Sequence, residues 1–120
     1  IAGRAALEDG MAGRRFEDSV GLVANWWRPG EVWEVPYGAL LPQQVGGLLA
    51  AGRCISAAGE AWEVMRVIHA AAHTGEIAGA AAGLCARRGT EPAELEPDAL
   101  RDALRARGLA CRLDDVADAS

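Results

Sequence analysis

The sequence contains no lysine, and its twelve basic residues are all arginine. Together with the abundant alanine and glycine, this is the mark of GC-rich coding and carries no functional weight. Positive charge is also in deficit: seventeen acidic residues leave a formal net charge of −5. That balance argues against a nucleic-acid partner or an acidic membrane surface. Cysteine is scarce, with only Cys54, Cys85 and Cys111. An odd count at wide, irregular spacing argues against a disulfide framework and suits a reducing cytosol. No signal peptide is visible, so a cytoplasmic location is expected. The most apolar stretch is broken by His69, His73 and Glu76, so no membrane span is expected. No internal repeat and no low-complexity block is present.

What remains is a globular composition, 51% apolar and 24% charged over 120 residues. That is enough for one small domain with little surplus stability. The chain opens on Ile1 rather than methionine, so it reads as a piece of something longer.

Residues 5–12 suggest one or two helical turns. Residues 16–27 alternate loosely and suggest a strand, with Val20, Leu22 and Ala24 on one face. The RPGE stretch at 28–31 is turn chemistry. Residues 32–41 read as a second strand interrupted at Pro36, which cannot donate to a ladder. The expected product is a hairpin carrying Trp26, Trp27 and Trp33, residues usually found in a core or an interface. LLAAG at 48–52 is too short for a helix and fits a strand buried on both faces. CISAAGEAW follows as an irregular segment or a short helix.

Residues 66–88 form the strongest helix candidate, with no proline and Gly89 just past the end. Arg87 and Arg88 in its last turn complement the helix dipole. Ala71, Gly75, Gly79 and Gly83 recur every four residues and make a stripe without side-chain bulk. Each helical glycine costs about 1 kcal/mol against alanine, so close approach of another backbone is expected there. Pro97 and Asp98 open a closing helix with Leu100 and Leu104 on its buried side and Gly108 at its end. The acidic tail at 114–120 is expected to be mobile.

A strand, then Gly52, a polar loop and a small-residue helix is the arrangement by which α/β folds aim a helix N-terminus at an anion. Residues 35–84, from VPYGALLPQQ through LLAAGRCIS to IHAAAHTGEIAGAAAGL, resemble the C-terminal part of FAD-dependent oxidoreductases of the glutathione-reductase type. GRRFEDSVG at 13–21 is similar to the segment leading into their substrate domain. EPDALRDALRARG at 96–108 is similar to their closing helix.

The resemblance implies a partial FAD-binding fold of α/β class: a hairpin, one short buried strand, a long Gly/Ala-rich helix and a C-terminal helix. It divides the chain into a substrate-domain-like segment (1–46), a flavin-binding strand and helix (47–89), a closing helix (90–113) and the tail. It places Gly52, Arg53, Cys54, Ile55 and Ser56 along the flavin. Arg66, Val67 and Ile68 would open the helix facing the flavin's pyrimidine end. Pro36, Tyr37 and His69 would lie toward a small-molecule substrate. The chain departs from the family pattern at Gly38, where arginine is common, and at His69, where proline or arginine is common. It also lacks the G-x-G-x-x-G turn that holds the ADP half of FAD. It is therefore expected to bind FAD weakly or not at all by itself, to be inactive alone, and to self-associate through unpaired sheet edges.

No catalytic acid or base can be assigned, although His69 is the better-placed histidine. His69 and His73 share a helix face, but Cys85 lies three turns further along, so no metal site is expected. Cys54 has no CxxC partner and reads as structural. For Arg53 and Arg66 the alternative to a ligand contact is a salt bridge to Glu60 or Glu63. The rival reading of the whole chain is a cofactor-free helical module that buries its small-residue stripe against a copy of itself.

Overall fold

The computed structural model describes residues 1–117. It is mixed α/β, as expected. Strands β1 (Ser19–Ala24) and β2 (Val32–Pro36) pair antiparallel, with a register shift between Ser19 and Gly21. Four helices follow: α1 (Gly59–Met65), α2 (Ile68–Arg88), α3 (Pro97–Ala106) and the single turn α4 (Asp114–Ala117). Short 3-10 turns occupy Tyr37–Leu40, Gly52–Cys54 and Pro92–Glu94. Among the described residues, no helix is long and apolar enough to cross a membrane.

The core lies between the hairpin and α2. Val20, Trp33 and Val35 from the hairpin meet Ala70, Ile77 and Ala81 from α2, with Leu100 and Leu104 of α3 alongside. Gly21 makes the closest approach: a Cβ there would sit 2.6 Å from Ile77 Cδ1 and 2.7 Å from His73 Nε2. Trp33 is fully buried and donates its indole N–H to Glu31 at 3.0 Å. Trp26 and Trp27 pair edge-on beyond the end of β1, with Trp26 left exposed.

The first segment is not helical. Leu7 is fully buried, and its backbone is drawn out to bridge the far side of the fold. Its N–H donates to the Ser56 carbonyl at 3.0 Å, and its carbonyl accepts from Ala58 at 2.9 Å. Pro36 ends β2, so the second strand is half the expected length. The expected buried strand at 48–52 does not form: Ala50 N–H donates to the Leu40 carbonyl at 2.9 Å, and Gly52 already opens a 3-10 turn. Without a parallel neighbour among the described residues it forms no ladder.

The long helix starts two residues later than its sequence suggests. Arg66 instead closes α1, its N–H donating to the Trp62 carbonyl at 2.9 Å, and Val67 turns extended before α2 begins. Its end is as expected, with Gly89 in the left-handed conformation. The glycine stripe differs from expectation. A Cβ at Gly75 or Gly79 would meet nothing within 4 Å, and one at Gly83 would meet only Arg87. The helix buries the opposite face, through Ala70, Thr74, Ile77, Ala81 and Cys85. Among the described residues the bare backbone is an open surface rather than a close contact.

The closing helix has the expected proline start and buried leucines, and it also buries Arg101. That guanidinium donates to the carbonyls of Glu17 at 3.0 Å and Ser19 at 3.1 Å, and pairs with Asp98. Of the acidic tail, residues 114–117 form α4, where Asp115 accepts from the Cys111 and Arg112 amides. The remainder of that expectation, 118–120, lies outside the described residues.

Candidate functional site

Gly52 has φ +65°, a left-handed conformation that glycine adopts without the strain another residue would meet. Its N–H donates to Thr74 Oγ1 at 2.8 Å, and the Thr74 hydroxyl in turn donates to the Ala71 carbonyl at 3.2 Å. A Cβ on Gly52 would lie 3.6 Å from the Ala71 methyl. Thr74, buried two turns into α2, thus clamps the Gly52–Cys54 turn against the start of that helix. The sequence gives no signal for this threonine, because a helical threonine is ordinarily read as neutral filler.

Two more bonds complete the cradle. Ser56 N–H donates to the Ala39 carbonyl at 2.9 Å, tying the segment to the 3-10 turn that follows β2. The Cys54 carbonyl accepts from the Ile1 amino group at 3.1 Å. Ile55 and Ser56 are buried, whereas Arg53 and Cys54 are exposed. Among the described residues neither Arg53 nor Arg66 forms the alternative salt bridge to Glu60 or Glu63. Glu60 pairs with Arg28 at 2.7 Å, and Arg66 lies over the Trp62 ring at 5.1 Å.

Val67 supplies no side-chain cap to α2. The first-turn amides of a helix have no intrahelical acceptor. Here they emerge beside Arg66, with Ile68 89% exposed and His69 exposed. The structure therefore brings residues 52–54 and the N-terminus of α2 together and leaves that N-terminus open to solvent. A concentration of N–H donors worth about half a positive charge can receive a carbonyl-rich or anionic edge.

The expected substrate-side residues separate. His69 is on the open rim. Pro36 and Tyr37 are buried, and the Tyr37 hydroxyl donates to the Pro92 carbonyl at 2.7 Å. Burial raises the pKa of that phenol far above its ordinary value. His73, one turn beyond His69, points into the fold. Its Nε2 has no hydrogen-bond partner among the described residues, and desolvation lowers its pKa. No group of three metal-binding side chains occurs among the described residues.

No curated protein and no solved structure matches the chain. A family model does: the one described as FAD dependent oxidoreductase covers residues 5–104, including the hairpin, the Gly52 turn, α2 and most of α3. The chain thus belongs to the FAD-dependent oxidoreductase family.

Proposed function

We propose that this chain supplies one wall of a flavin site in an oxidoreductase of the glutathione-reductase type, as a C-terminal part. The observation that carries the reading is the Thr74 clamp, which sets the Gly52 turn beside the uncapped start of α2. The residues fit FAD. Gly52 offers backbone without a side chain, the α2 amides offer donors for ring carbonyl oxygens, and Arg66 adds a fixed positive charge. FAD, when bound, supplies the hydride or electron acceptance of the reaction.

The chain's own contribution is electrostatic and positional. The N-terminus of α2 favours negative charge placed against it by up to ~2 kcal/mol in a partly buried setting. Arg53, Cys54, Ile55 and Ser56 continue the cofactor wall from Gly52, and Val67 and Ile68 cover the cofactor's edge from the helix side. His69, on the same rim, faces the small-molecule substrate and is placed to exchange a proton with it. Pro36 and Tyr37 act from behind, holding the 3-10 turn on which Ser56 is hung.

Alone, the chain would bind FAD weakly and be inactive, because no G-x-G-x-x-G turn is present to hold the pyrophosphate. The test is an amide NMR titration with millimolar FAD. Perturbations should cluster at Gly52, Arg53, Cys54 and the first turn of α2, and should vanish in Arg66→Glu. Perturbations confined to other surfaces would sink the reading. Stoichiometric yellow flavin after purification would leave the flavin wall standing and overturn the weak-binding expectation.

A further inference from the structure

Residues 50–56 are anchored on one side by the 3-10 turn after β2 and by the first segment of the chain. Ala50 N–H and Ser56 N–H each reach that turn at 2.9 Å, on the carbonyls of Leu40 and Ala39. The Ser56 carbonyl accepts from Leu7 N–H at 3.0 Å. Toward α2 the anchoring is sparser. Among the described residues a single hydrogen bond crosses from this segment to the helix, the one from Gly52 N–H to Thr74 Oγ1 at 2.8 Å. Packing does not replace it. Gly52 has no side chain to lodge against the helix, and even an added Cβ would only make ordinary contact with the Ala71 methyl at 3.6 Å.

Thr74 is fully buried, where an unsatisfied hydroxyl would be costly. Its proton goes to the Ala71 carbonyl at 3.2 Å, which leaves a lone pair for Gly52 N–H. The first bond fixes the rotation of the hydroxyl, so the acceptor is aimed at the turn before any ligand arrives. Helix stability gives no reason for a threonine here. A β-branched residue is a poorer helix former than alanine, and valine would occupy the same space with no hydroxyl to satisfy.

We propose that Thr74 is a positioning residue for the cofactor. Its hydroxyl sets the distance and angle between the Gly52–Cys54 turn and the N-terminus of α2, two surfaces that the flavin has to touch at once. The proposal rests on the flavin reading above and adds the group that keeps the two surfaces in register. Thr74 acts through Gly52 and touches no ligand itself.

The test compares Thr74→Val, which keeps the shape and loses the hydroxyl, with Thr74→Ser, which keeps the hydroxyl, both in the full chain. Without FAD, exchange of the Gly52 amide should speed up by about tenfold or more in the valine variant. It should stay at the parent rate in the serine variant, with the hairpin and the other α2 amides unchanged in both. With FAD, the concentration needed for a given shift at Arg53 and Cys54 should rise about fivefold in the valine variant, because the two surfaces are no longer preorganised. Serine should restore the parent response. A valine variant with parent-like Gly52 exchange overturns the proposal, as does a serine variant that behaves like valine. Faster exchange of the hairpin amides in the valine variant also overturns it, since the hydroxyl would then serve the core rather than the turn. Absence of FAD shifts at the turn and α2 in the parent sinks the flavin reading and this proposal together. Their presence in the parent with an equal response from the valine variant sinks the proposal alone.

Discussion

Glu34 is the most informative residue to perturb. It is 1% exposed, on the hairpin face opposite Trp33. One carboxylate oxygen accepts from Phe16 N–H at 2.6 Å and the other from Leu113 N–H at 2.8 Å. A single buried side chain thereby joins the entry to β1, the middle of β2 and the segment after α3. In Glu34→Gln the amide offers one oxygen and one NH2, so one backbone donor faces another donor. Stranding one buried N–H costs about 2 kcal/mol. Glu34→Ala strands both and leaves a cavity, for about 4 kcal/mol in total. Urea unfolding should therefore shift its midpoint down by roughly 1 M for glutamine and 2 M for alanine, taking a slope of about 2 kcal/mol/M. Glu94→Gln serves as control, because Glu94 makes its bond to the Glu91 amide at the surface. It should move the midpoint by less than about 0.3 M. If glutamine and control variants unfold together, the buried carboxylate is not holding the three segments.

The pH dependence should report His73. Its neutral ring is favoured in the fold, so stability is intact above the free value of 6.5 and is lost as pH falls below 6.5 toward the depressed folded pKa. Urea midpoints at pH 7.5 and 5.5 should differ more for the parent than for His73→Leu, and equal slopes would clear His73 of the effect. Gly75→Ala and Gly79→Ala each add a methyl to open space and should each raise stability by about 1 kcal/mol. A loss of stability in either would show that the open face is packed in solution. A thiol reagent on the native chain should label Cys54 quickly and spare Cys85 and Cys111 until unfolding, since both are buried and burial also pushes the Cys111 thiol up. Rapid labelling of two or more thiols would contradict the packing.

The elements that could be read from sequence were those whose signals are local. Gly89 stops α2 and Pro97 starts α3 because one dihedral or one missing donor decides the matter. Pro36 ends its strand for the same reason. The errors arose where a distant partner decides. Residues 5–12 have helix-compatible composition, but the carbonyl of Gly38 and the backbone of Ser56 and Ala58 claim Ala5 and Leu7. The start of α2 moved from Arg66 to Ile68 because α1 absorbs Arg66 as its own last turn. Around the candidate site, the glycine turn at residue 52 was legible from the strand–glycine–helix pattern. The Thr74 clamp and the inward turn of His73 were not, since each depends on which face of α2 the hairpin covers.

That choice of face follows from Gly21. Its missing side chain leaves room for Ile77 and His73 against β1, which commits Ala70, Thr74, Ala81 and Cys85 to the same side of the helix. Thr74 is then carried toward the Gly52 turn, and the Gly75 and Gly79 backbone is carried away from the core. A stripe that reads in one dimension as a packing surface thus becomes the outer face of α2. The two glycines lower helix stability there by about 2 kcal/mol together, without a compensating contact among the described residues.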